Sequence, residues 1–144
     1  MSRKARGADA YQLSTQVGFN LRRANQRHVA IFARHVSGLT PTQFAAIARL
    51  YEYGALSQNR LGRLTAMDSA TIKGVVERLA GKGLVTSRPD ANDQRLRVVE
   101  LTAAGRSAFE TAEAQALIAR TETLAPISAK EAETLEAILA KLVD

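Results

Sequence analysis

Helix-start and helix-stop signals crowd residues 38 to 105 so closely that only short helices fit there. Gly38 closes whatever precedes it, and Thr40-Pro41-Thr42-Gln43 is a capping box with proline at the first helical position. It opens a helix that runs to Tyr53, before Gly54. Ser57 caps a short third helix with Leu61 and Leu64 turned inward. After a turn at Thr65 to Met67, Asp68 caps a fourth. In that fourth helix Ile72, Val75, Val76 and Leu79 fall at i, i+3, i+4 and i+7. Ala70, Lys73, Gly74 and Glu77 are left on the opposite face, and Gly81-Lys82-Gly83 ends the helix.

Residues 84 to 88 and 97 to 101 are rich in valine and leucine and flank a polar tip, Pro89 to Gln94. They predict a two-stranded hairpin, the only strand signal in the chain. Longer helices lie on either side. Residues 10 to 36 lack proline and space Leu13, Val17, Leu21, Ala24, Phe32 and Val36 as one long first helix. Thr102 caps a helix carrying Phe109, Ala112, Leu117 and Leu124, which Pro126 breaks. Ser128-Ala129-Lys130-Glu131 is a further capping box, opening a last helix striped by Leu135, Ile138, Leu139 and Leu142. This order predicts a mostly α fold: a winged helix-turn-helix with long N- and C-terminal helices and a two-stranded wing. At 144 residues the chain suits one domain.

The inventory of side chains excludes several kinds of chemistry. With no cysteine, disulfides, thiolate nucleophiles and Cys-ligated zinc are ruled out. His28 and His35 lack a neighbouring carboxylate cluster and make a poor metal site, so no metal and no cofactor is expected. Met1 and Met67 are the only sulfur groups, which argues against oxidative sensing. There is no Gly-rich phosphate loop and no nucleophile with a base and an orienting acid, so an enzyme is not expected. Arg3, Lys4 and Arg6 are not followed by an apolar run, and no transmembrane-length stretch occurs, so the expectation is a cytoplasmic protein with no membrane partner.

The net charge of +6 fits a polyanionic partner, and its distribution says where that partner lies. Residues 1 to 40 carry +6, residues 41 to 105 carry +3, and residues 106 to 144 carry −3. A helix entering a major groove needs one apolar face to anchor it and an opposite face of small or hydrogen-bonding groups. Ser69, Ala70, Thr71, Lys73 and Gly74 meet that demand. Arg88, Asp93, Arg95 and Arg97 bracket the hairpin tip. A guanidinium there can enter a minor groove, with Arg95 the candidate and Asp93 positioned to pair with it and hold it extended. Thr40, Ser57, Gln58 and Asn59 are candidate contacts to the DNA backbone.

Three segments then carry a resemblance. Gly38-Leu39-Thr40-Pro41-Thr42-Gln43-Phe44 is the first, and Val76-Glu77-Arg78-Leu79 running into Lys82-Gly83-Leu84-Val85 is the second. Asp93-Gln94-Arg95 followed by Leu101-Thr102-Ala103-Ala104-Gly105 is the third. Together they resemble the MarR (multiple antibiotic resistance regulator) family over nearly the whole chain. The family usually has Arg where Gln94 stands, which puts one backbone contact in question, while its Asp and following Arg are kept at Asp93 and Arg95. The resemblance implies a homodimer built from the first, fifth and sixth helices (residues 10 to 36 and 103 to 144), with residues 40 to 102 as the winged DNA-binding lobe. It also implies a repressor that releases a pseudo-palindromic operator when a small effector binds. The apolar stripe at the chain end agrees independently, having little left to cover except a partner.

For the effector, Arg22, Arg23, Arg27 and His28 lie on the first helix beside Phe19 and Phe32, a set of cations and aromatic faces suited to an organic anion. The run Arg22 to His28 is similar to that of family members that control the breakdown of aromatic acids or bind their coenzyme A thioesters. Against this, a single histidine beside an apolar stripe is commonly just a packed residue, and the arginines can be solvated charges. Two rival functions remain open from sequence: a dimeric winged-helix interaction module that does not read DNA, and an enzyme acting on small aromatic acids.

Overall fold

The computed structural model describes residues 10 to 143. Arg3, Lys4 and Arg6, Met1 and the terminal Asp144 lie outside them. Six helices and three strands follow in the order α1 (Val17–His35), α2 (Pro41–Tyr53), β1 (Leu56–Ser57), α3 (Gln58–Leu64), α4 (Ser69–Gly81), β2 (Val85–Pro89), β3 (Arg97–Leu101), α5 (Ala103–Leu124) and α6 (Ala129–Val143).

Every start signal read from the sequence is made in atoms. Thr40 accepts from the Gln43 amide while the Gln43 side chain returns to the Thr40 amide, completing the capping box. Ser57 accepts from Arg60 N–H, Asp68 from Thr71 N–H and Thr102 from Gly105 N–H. Ser128 and Glu131 satisfy each other's amides at the head of α6. These bonds satisfy amides that a helix's first turn leaves without partners.

Two expectations need correction. The first helix does not begin at residue 10: a single 3-10 turn, Leu13–Thr15, comes first, and extended Gln16 (φ −86°, ψ 128°) separates it from α1. The Thr15 hydroxyl donates to the Gln12 carbonyl, a local bond that competes with helix continuation. The hairpin is also not the whole sheet. Leu56 and Ser57 pair antiparallel with Val99 and Val98, giving the order β1-β3-β2. A two-residue strand shows no alternation, and only its distant partner makes it a strand. The hairpin is slightly longer than expected, with Pro89 closing β2 opposite Arg97. Proline is tolerated there because β2 is an edge strand.

The winged lobe packs around Ile47, Leu50, Leu61, Ile72, Leu79 and Val99, all buried essentially to completion. Two glycines permit its closest approaches. A Cβ on Gly62 would stand 3.1 Å from the Met67 carbonyl oxygen and 3.2 Å from Ile72, where α3 crosses α4. On Gly105 it would fall 1.9 Å from the Leu84 carbonyl oxygen, where α5 meets the hairpin. A second, smaller cluster of Ile31, Phe32, Val36, Ala112 and Ala119 joins α1 to α5. Leu39 and Phe44 pack against both clusters.

Candidate nucleic-acid interface

Helix α4 is held by its buried row, Ile72, Val75, Val76 and Leu79, so its other face is fixed outward. Ser69, Ala70, Thr71 and Lys73 are exposed there, and Gly74 is half-exposed. Between α4 and the hairpin runs a groove of about 610 Å³, lined by Gln58, Lys73, Glu77, Ser87 and Arg97 among others. A smaller cleft of about 100 Å³ brings Ser57, Gln58 and Asn59 at the head of α3 together with Arg95 and Arg97. The α3 residues nominated for backbone contact thus stand beside the wing.

The wing tip is organised by two carboxylates. Asp90 accepts from the amides of Asn92 and Asp93, tightening the turn. Asp93 accepts from the Arg95 amide and, through both oxygens, from its guanidinium at 3.1 and 3.3 Å. The Arg95 guanidinium beside Asp93, with the Arg95 amide second, holds that carboxyl below the usual aspartate value. The Arg95 side chain is 90% exposed, so the pair orients the guanidinium without covering it.

The two strand arginines divide. Arg97 lies on the side of the hairpin facing α4, donating to the Ser87 carbonyl and hydroxyl. Arg88 projects from the other face, paired with Glu100 at 2.9 Å. Of the four wing residues nominated, Arg88 therefore stands apart from the groove and its charge is already matched. Thr40 also stands apart, its hydroxyl taken up by the cap of α2.

On α1 the six effector nominees separate into three groups, of three, two and one. The Arg23 guanidinium lies over the Phe19 ring at 5.7 Å, and Arg22 is exposed nearby. Arg27 donates to the carbonyls of Thr123 (2.6 Å) and Glu122 (3.1 Å), satisfying the C-terminal end of α5. His28 Nδ1 meets the Thr123 hydroxyl at 2.9 Å. Because that hydroxyl donates to the Ala119 carbonyl, the histidine nitrogen is assigned as the donor. Phe32 is core, edge-on to Phe44 at 5.8 Å.

Sequence reasoning missed the other half of this latch. Glu122 takes His35 and Arg34 at its two oxygens, and the His35 contact, followed by that of Arg34, pulls its carboxyl below the usual glutamate value. No local signal marks a pair 87 or 88 residues apart. Lys82, at the end of α4, donates to the Gly38 carbonyl (2.6 Å) and to Gln43 (2.8 Å), tying that end to the α1–α2 junction. Among the described residues no group of three potential metal ligands occurs, and no helix is long and apolar enough to cross a membrane.

Known proteins share this architecture. Residues 39–96 match the model of the MarR family. The transcriptional repressor NicR of Pseudomonas putida is 37% identical over 136 residues, spanning 93% of this chain and 86% of its own length. A probable transcriptional regulator from Pseudomonas aeruginosa superposes with a TM-score of 0.86 at 52% identity, covering 91% of this chain and 99% of that one. BpsR of Bordetella bronchiseptica, studied for regulation of its DNA binding by 6-hydroxynicotinic acid, superposes with a TM-score of 0.88 at 37% identity, covering 94% and 98%. With that family model and those relatives spanning nearly its whole length, this chain belongs to the MarR family.

Proposed function

We propose that this protein is a sequence-specific transcriptional repressor that binds a two-fold operator as a homodimer and leaves it when a small aromatic acid binds. The observation that carries the proposal is the wing: a fully presented Arg95 guanidinium, aimed by Asp93, beside a groove bordered by Lys73 and Arg97. Helix α4 supplies the major-groove contacts and Arg95 the minor-groove one, while Ser57, Gln58 and Asn59 meet the backbone.

Helices α1, α5 and α6 form the dimer. The reading is supported by apolar groups they leave exposed, namely Val17, Leu21, Leu117, Ile118, Ile138 and Leu142. Two recognition helices then face successive major grooves about 34 Å apart, and a ligand that favours another spacing weakens binding. A coupling of about 1 to 3 kcal/mol, a 5- to 150-fold change, is sufficient.

The effector is a hydroxylated benzene or pyridine carboxylate. Arg22 and Arg23 supply cations and Phe19 an aromatic face, and the ligand named for BpsR belongs to that class. A ligand on α1 lies on the same helix as Arg27 and His28, which grip the end of α5, and so bears on the geometry of the dimer.

Genomic fragment selection identifies the operator, and fluorescence anisotropy then tests the reading. Affinity is expected to fall steeply with salt as counterions are released. Arg95→Ala is expected to cost about 1 to 3 kcal/mol. A panel of hydroxylated benzoates and pyridine carboxylates is expected to contain a compound that releases the operator and is recovered unchanged. Full operator binding by Arg95→Ala would rule out the wing assignment.

A further inference from the structure

Helix α4 carries two cations, Lys73 and Arg78. Arg78 stands in the third turn, beyond the N-terminal residues with which a recognition helix reads base edges. At 100° per residue, Ala70, Gly74 and Gly81 run along the middle of the exposed face. Lys73 flanks them toward the hairpin, and Arg78 flanks them on the other side. Helical side chains lean toward the N-terminus, and Arg78 does so over a residue with no side chain. A Cβ on Gly74 would stand 3.5, 3.8 and 3.9 Å from the Nη1, Nη2 and Cζ atoms of Arg78, so the guanidinium lies against bare backbone one turn back from its own Cα. Arg49, Arg88 and Arg97 are each committed to a carbonyl or carboxylate, and among the described residues Arg78 has no such partner.

We infer that Arg78 is a base-reading residue of the recognition helix, its guanidinium brought to the level of Gly74 by the missing side chain there and offered to a guanine edge. The inference rests on the DNA-reading function proposed above. Length alone would carry any cation back by one turn. The planar fork matters because it donates twice to the O6 and N7 acceptors of guanine, which no other base presents together.

The test is selection of bound duplexes from a library randomised around the wild-type operator, performed with the full chain and with Arg78→Ala and Arg78→Lys. Arg78→Ala is expected to lose the preference for guanine at one position in each half-site. Affinity for the wild-type operator is expected to fall about 5- to 150-fold, the range that one bidentate base contact corresponds to. Lysine keeps the charge but gives up the planar fork, so the guanine preference is expected to weaken rather than return in full. A uniform loss across all sequences that lysine restores, with the salt slope lowered by about one in the alanine variant, would mean a phosphate contact and overturn the inference. So would an unchanged consensus in both variants. If the wild type selects no sequence at all, the DNA-reading proposal falls and this inference with it. A wild-type consensus that both variants retain sinks the inference alone.

Discussion

The winged lobe and the helices that carry it solve the burial problem differently. The lobe encloses Ile47, Leu61, Ile72 and Val99 completely within one protomer, whereas α6 has no buried residue and turns Ile138 and Leu142 outward at 49% and 63% exposure. A lobe of this kind is stabilised by its own chain. Apart from Phe109, which α5 lends to the lobe's core, the carrier helices hold only the small cluster around Phe32, and the rest of their apolar surface is accounted for by the second copy proposed above. Stability and assembly are thus written in different segments, and substitutions can separate them.

The largest effect belongs to the lobe. Leu79→Ala, which empties a site closed on all sides, is expected to cost about 2 to 5 kcal/mol in thermal or urea unfolding. Ile138→Glu is the counterpart: protomer helicity is expected to persist while the sedimentation coefficient falls to that of a monomer. If this variant unfolds the lobe as well, the contrast between the two regions is wrong. A smaller effect sharpens the contrast inside the lobe. Asp68→Ala removes the cap of α4 and is expected to cost about 0.5 to 2 kcal/mol, read from denaturant midpoints.

Charge supplies the smallest and most local probe. Glu122 is held below its ordinary pKa of 4.5, chiefly by His35 and then by Arg34, so its folded carboxyl stays ionised where the unfolded one takes up a proton. The unfolded state then binds more protons, and the stability this group contributes is whole above the ordinary value and lost as pH falls through the lowered one. Thermal melts across that acid range are expected to show a shallower decline for Glu122→Gln than for the parent. An identical decline would place the acid sensitivity elsewhere, in Asp68, Asp93 or Glu131, whose carboxyls are lowered by the amides and side chains they accept from.

What was legible in the sequence was what three or four residues decide among themselves. All five caps fall in that class, as does the Asp93–Arg95 pair, because donor and acceptor lie within one turn. The break at Gln16 was hidden by an apolar spacing that runs through it. Strand β1 was hidden because Leu56 becomes a strand residue only by meeting Val99, 43 positions later. The effector nominees show the same limit: helical spacing placed Arg27 and His28 on one helix but gave no sign that the end of α5 would occupy them. The opposite facing of Arg88 and Arg97 follows from the hairpin register, which fixes which face each strand residue takes.

Phe44 stacks on Phe109 at 5.6 Å on one side and meets Phe32 edge-on at 5.8 Å on the other, so a single ring is a wall of both clusters. Interiors packed as tightly as crystals do not absorb a change of volume at such a wall; the change passes to both rooms. Drift at the protein's surface can therefore proceed one residue at a time, retuning the operator or the effector proposed above. The trio of rings at 32, 44 and 109 is free to change only as a matched set.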